Sequence, residues 1–189
     1  MKTEPVAPLK VTLDRIDPPV MRRFVVPLSI RLDRLHLAIQ VAMGWTNSHL
    51  WEFRARDCGW GIPDPDHHQF DGPADARKAK LITIMRDTGA RTIKYIYDFG
   101  DGWDHTIKIQ ATRDMPIGLD YPLFLEAVGA CPPEDVGGPP GYTDFLADPE
   151  QRGEFDPARV DKRAIDAGLD ALAAKWRRKP RLKTASTKR

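Results

Sequence analysis

The stretch Tyr95–Ile109, "YIYDFGDGWDHTIKI", sets two β-branched and aromatic runs on either side of Asp101-Gly102. Asp-Gly between alternating apolar residues signals a hairpin, because a tight turn needs positive φ and both residues accept it. Before the turn, Ile93, Tyr95, Tyr97 and Phe99 share one face; beyond it, His105, Ile107 and Ile109 keep the two-residue period. The stretch therefore predicts two adjacent antiparallel strands with a sheet built around them. Asp98 and Asp104 flank the turn, where carboxylates accept backbone N–H bonds. That accounts for most of the motif without catalysis.

Working outward, Leu9, Val11 and Leu13 alternate with Lys10, Thr12 and Asp14, which predicts a half-buried strand ended by "DPP" at 17–19. "MRRFVVP" at 21–27 is its antiparallel partner. From Leu32 the period changes: Leu32, Leu35, Ile39 and Ala42 or Met43 recur at three and four, with Asp33 in the first turn and Gly44 at the end, a short amphipathic helix. His49, Trp51 and Phe53 then share a strand face, and 57–79, rich in Gly, Pro, Asp and His, reads as a long irregular loop. "LITIM" at 81–85, "TIKYIYDF" at 92–99 and "TIKIQAT" at 106–112 read as strands. "CPPEDVGGPPGY" at 131–142 argues against helix and central strand, and so for a fixed surface loop. Asp156 as cap, Pro157 in the first helical position and the stripe Ile165, Leu169, Leu172, Trp176 predict a C-terminal helix over 157–178. The sum is an α+β fold, mainly antiparallel sheet, with a short helix in the N-terminal half and a helical C-terminal segment. One domain is expected over 1–176, followed by a basic, disordered tail at 177–189.

Composition agrees with one domain: 189 residues, 41% hydrophobic, and 30% charged residues of both signs, a balance unlike that of disordered or membrane chains. No apolar run approaches the roughly 20 residues of a spanning helix, and "MKTEPVAPLKVTL" lacks the apolar block of a signal peptide, so a cytoplasmic protein is expected. Cys58 and Cys131 have no metal-ligand spacing and read as small buried apolar residues. The net charge of +2 hides a division: eight basic residues and no acid lie from Lys175 onward, and the remaining 21 of 29 basic residues face 27 acidic ones. A body of −6 thus carries a tail of +8. Arg177, Arg178, Lys179, Arg181 and Lys183 could contact phosphates with salt-dependent affinity, or belong to a solvated end that aids solubility.

The residues that could carry chemistry are Asp98, Asp101, Asp104 and His105 from the hairpin with Glu134 and Asp135 from the Pro-rich segment. Gathered by folding, these hard ligands suffice for a divalent ion, although their spacing matches neither an EF-hand loop nor HExxH. No cofactor is otherwise indicated. Trp103, if exposed at the turn, would be an aromatic anchor for a partner. These seven residues form the expected binding surface, for an unidentified protein or nucleic-acid partner and not a membrane. His36, on the helix with Gln40 one turn on, reads as a hydrogen-bonded boundary residue. His67-His68 beside Asp64 and Asp66 give a weak metal signal, and Ser48-His49 lacks a nucleophile elbow. There is no Walker loop and no GxGxxG. No catalytic residue is assigned, which leaves a non-enzymatic binding module first, a nucleic-acid accessory second and a metal-dependent hydrolase third.

Four segments, "LKVTLDRIDPPVMRRFVVP" at 9–27, "LDRLHLAIQVAMGWTNSHLWEF" at 32–53, "YDFGDGWDHTI" at 97–107 and "CPPEDVGGPPGYTDFL" at 131–146, resemble in order the plasmid pRiA4b ORF-3-like family, also described as passenger (TnpR-type) proteins of IS1096-like insertion elements. The resemblance implies an α+β domain encoded on or near mobile elements and no established activity. The TnpR label suggests a resolvase by name only, and the sequence has no serine-recombinase pattern. Met21 stands where the family usually has tryptophan, Trp51 where histidine is common, and Val136 where cysteine is usual. A family metal held through that histidine and cysteine would lose two ligands here, leaving the carboxylates untouched.

Overall fold

A computed structural model describes residues 2–63 and 72–177. In chain order the elements are β1 (Thr3–Leu13), β2 (Met21–Pro27), α1 (Leu32–Met43), β3 (Trp51–Ala55), β4 (Cys58–Gly61), β5 (Ala74–Asp75), α2 (Leu81–Thr88), β6 (Thr92–Tyr97), β7 (Trp103–Ile109), β8 (Arg113–Pro116), β9 (Leu123–Val128), α3 (Gly138–Ala147), α4 (Pro149–Arg152) and α5 (Lys162–Trp176). The strands form one sheet in the order β5-β4-β3-β6-β7-β1-β2-β9, with β8 also paired to β1. Every pairing is antiparallel except β4 with β5, so the fold is α+β on a mostly antiparallel sheet.

β1 organises this sheet. One edge pairs with β2 from Val6↔Pro27 to Thr12↔Met21; the other takes β7 from Leu9↔Ile109 to Leu13↔His105 and β8 along its N-terminal half. The expected alternation holds: Leu9, Val11 and Leu13, Phe24 and Val26, Ile93, Tyr95 and Tyr97, and Ile107 and Ile109 are all buried in one cluster with α1. α1 buries eight of its 12 residues, too many for one face, because α5 packs on it as well. A Cβ on Gly168 of α5 would stand 2.7 Å from Val41 of α1, so glycine sets that close approach. Arg22, also buried, donates from Nε to Ala42 O (2.6 Å) and from Nη1 to Met21 O (2.9 Å) and Val128 O (2.8 Å), tying the last turn of α1 to β2 and β9. Burial lowers its pKa.

Several expectations need correction. "LITIM" is the start of α2: Leu81 and Ile84 are buried and Met85 half-buried while Ile82 faces out, a spacing of three and four that a short β-branched run conceals. The 57–79 segment contains β4 and β5. Helix α3 begins inside the Pro-rich stretch, with Pro139 and Pro140 in its first turn, where a missing N–H costs nothing. The C-terminal helix spans Lys162–Trp176, not 157–178: Asp161 caps it through Ala164 N at 2.9 Å, whereas Asp156 accepts from Ala158 N in a separate turn. Its stripe does face inward, with Ile165 and Leu169 buried. Cys58 is exposed and Cys131 half-buried.

Candidate functional site

The hairpin has a wider end than its Asp-Gly centre predicts. Tyr97 pairs with Trp103, leaving the five residues Asp98–Gly102 as the loop. Asp98 (φ 56°) and Gly102 (φ 66°) take the left-handed conformations, Gly102 N donates to Asp98 O at 2.7 Å, and Asp98 Oδ1 accepts from Gly100 N (3.0 Å) and Asp101 N (3.4 Å). The two-residue period therefore breaks at Phe99, which turns outward to 54% exposure, and resumes at Trp103, which is 1% exposed and packs beside Trp45. Trp103 is a core residue, not an exposed anchor.

The remaining hairpin residues diverge. His105 lies in the core against Trp45 and Tyr95, its Nδ1–H donating to Trp103 O (3.0 Å) and Tyr95 O (3.2 Å) and its Nε2 without a partner. Burial pushes its pKa down to about 4, so it is a neutral packing residue at pH 7. Asp104 projects from the opposite face and receives Arg15 Nη2 at 2.8 Å. Neither joins the Pro-rich segment. Asp101 does: its Oδ2 accepts from Gly137 N at 3.1 Å.

A third segment, 45–50, between α1 and β3, completes the junction. Trp45 Nε1 donates to Pro132 O (3.0 Å), and Glu134 accepts from Thr46 N (2.9 Å), Thr46 Oγ1 (2.5 Å) and the Tyr97 hydroxyl (2.6 Å). Burial would raise the Glu134 pKa, but these hydrogen bonds outweigh it and hold the carboxyl below its usual range. His49 sits where the three segments meet. Its Nδ1 is 3.5 Å from Asp98 Oδ2, its Nε2 is 3.2 Å from Asp135 Oδ1, and its ring meets Tyr97 edge-on. Of the expected binding surface, then, Asp98 and Asp135 come together through a histidine that strand periodicity had assigned to packing.

Beside His49 opens a cavity of about 510 Å³. Its walls include His36, Asn47, His49 and Trp51, with Leu50 and Ile62 exposed at the rim. Trp51 stacks on His36 with centroids 4.1 Å apart. His36 is buried and its pKa is pushed down to about 4 by that burial, so the neutral ring accepts from the Tyr95 hydroxyl at Nδ1 (2.8 Å) and donates to Asn47 Oδ1 at Nε2 (2.5 Å). Gln40 Nε2 donates to the same hydroxyl at 3.0 Å, so the polar groups under the cavity satisfy one another.

Of the basic tail, Arg177 is paired with Asp120 through two nitrogens; Arg178, Lys179, Arg181 and Lys183 lie outside the described residues, as do Asp64, Asp66, His67 and His68. Among the described residues no helix is long and apolar enough to cross a membrane.

A single-sheet α+β protein with a cleft walled by α1, the 47–51 segment and residues 61–62 and 76–77 is the class these observations define. The chain belongs to the plasmid pRiA4b ORF-3-like protein family, whose sequence model matches residues 5–164. It is 52% identical over 193 aligned positions to the uncharacterized protein y4hQ of Sinorhizobium fredii, covering 95% of this chain and 98% of that one. It is also similar to a crystal structure of MM3350, a protein of unknown function from Methanosarcina mazei Go1, at 29% identity and a TM-score of 0.75 over 86% of this chain and 97% of the other.

Proposed function

We propose that the protein is a non-enzymatic, cytoplasmic binding module associated with mobile DNA, and that its recognition site is the cleft beside His49. The observation that supports this is the convergence of the 45–50 segment, the hairpin loop and the 132–137 segment on one histidine at the wall of a cavity of about 510 Å³. Pockets of this size, mostly apolar with a few convergent polar groups, suit a small ligand. Leu50, Ile62 and Trp51 would take its apolar body, and the His49 cluster its polar head. The plasmid reading frame in the family's name supports the link to mobile DNA.

A fragment screen followed by amide, indole and imidazole NMR signals tests the reading. Binders should shift the Trp51 indole and His49 ring signals together and lose affinity in Trp51→Ala. A screen whose binders all leave both signals in place would refute it. The split of charge between body and tail favours a second reading, nucleic-acid binding through 177–183. Filter binding at two salt concentrations decides that one, and affinity unchanged on deleting 177–189 would end it.

A further inference from the structure

We propose that His49, Asp98 and Asp135 form a divalent-cation site at the wall of the cleft; this rests on the reading of that cleft as the binding site and names what holds the ligand's head. Asp98 is 8% exposed. Its Oδ1 is satisfied by two backbone N–H groups, but its Oδ2 faces the cluster with only the His49 contact at 3.5 Å, too long for a sound hydrogen bond. Among the described residues no lysine or arginine pairs with Asp98 or Asp135. A cation at the free oxygen would give this buried carboxylate a partner of opposite charge. His49 Nε2 in turn is buried from solvent and has no hydrogen-bond partner of acceptable geometry despite lying 3.2 Å from Asp135. Within the cluster, then, His49 Nε2 is left without a hydrogen-bond partner and Asp98 Oδ2 has only a long contact.

The spacing suits an ion. One ligand atom from each residue lies within 4.8 Å of the others. An ion bound at about 2.0–2.2 Å from each accepts ligands up to about 4.4 Å apart. One ion takes a single ring nitrogen, Nδ1 on the Asp98 side or Nε2 on the Asp135 side, so rotation of the Asp135 side chain, which is 75% exposed, must bring its carboxylate to the nitrogen used. One imidazole and two carboxylates favour Zn²⁺, Mn²⁺ or another first-row ion over Ca²⁺ or Mg²⁺, which prefer oxygen alone. Three protein ligands leave coordination positions open, and because His49 also lines the cavity, those positions would face a bound molecule. The polar head taken by the cleft is then a metal-binding group such as a carboxylate. The rival arrangement is an imidazolium donating to both carboxylates with no metal at all.

Calorimetric titration of chelator-treated full-length protein with Zn²⁺ and, separately, Mn²⁺ distinguishes them. The expected result is one equivalent bound, weakened at least tenfold in both His49→Gln and Asp135→Asn. Asp135→Asn alters an exposed side chain and keeps the test valid if His49→Gln fails to fold. Absence of saturable binding, or equal binding by wild type and Asp135→Asn, overturns the proposal. Fragment binding at Trp51 in metal-free protein separates the two readings: fragments without metal binding refute the cation site alone, whereas metal binding without any fragment refutes the cleft.

Discussion

Gly138→Ala probes the contact that holds the hairpin loop against the Pro-rich segment. Gly138 has φ 67°, and a Cβ there would lie 2.1 Å from the carbonyl oxygen of Asp101 and 3.0 Å from its carbonyl carbon. These are backbone atoms in a loop already pinned by Asp98, so no side chain can swing aside. Left-handed backbone costs an L-residue about 1–2 kcal/mol, and forcing atoms into occupied space adds roughly 1–3 kcal/mol. The sum, about 2–5 kcal/mol, corresponds to a fall in Tm of about 4–20 °C for a chain of this size. Gly44→Ala supplies the control, since Gly44 has φ 89° with nothing within 4 Å and bears only the conformational cost, about 1–2 kcal/mol. Scanning calorimetry on the two variants measures the difference, and NMR should show the His49 ring signals displaced in Gly138→Ala and unmoved in Gly44→Ala. Equal losses in the two variants would refute the reasoning, because the loop contact would then contribute nothing.

Trp103→Ala should cost about 3–5 kcal/mol in urea unfolding, the loss of a filled aromatic site, whereas a partner anchor would leave stability nearly unchanged. Arg22→Met leaves the Ala42 and Val128 carbonyls short of a donor and should cost about 2–4 kcal/mol by the same assay. His36 and His105 stay neutral in the fold down to about pH 4 but protonate near 6.5 when unfolded, so the unfolded chain binds more protons between those values. Stability should therefore fall as pH drops from 6.5 to 4, and the slope in that window should be shallower in His36→Gln; an unchanged slope in that variant would contradict the buried-neutral assignment.

β1, β2 and α1 were legible because period and punctuation agree there: strict alternation ends at Asp17-Pro18-Pro19, and a period of three and four runs from Leu32 to Gly44. Elsewhere the signals conflict. "LITIM" is β-branched enough for a strand yet buries residues at helical spacing, and the prolines that argue against helix at 131–142 are tolerated in the first turn of α3. β9 hides its alternation, because the register shift between Arg23 and Phe24 leaves Leu125 unpaired and exposed while Ala127, two residues on, is buried. The site was only half legible. Asp98 and Asp135 stood out as loop carboxylates, but His49 meets them only when three segments fold together; the clue was a histidine in a turn just before a strand, beside the motifs quoted at 97–107 and 131–146.

The central place of β1 also bears on how the chain reaches this state. β1 and β2 are near neighbours and can pair as soon as both exist, but the Asp14 carboxylate beside the end of β1 meets the Thr106 hydroxyl of β7 across 92 residues. Pairings of such separation are slow to form. During synthesis the first strand therefore waits with one edge covered and the other bare until Ile109 has emerged, an interval in which that edge is open to strands of other chains.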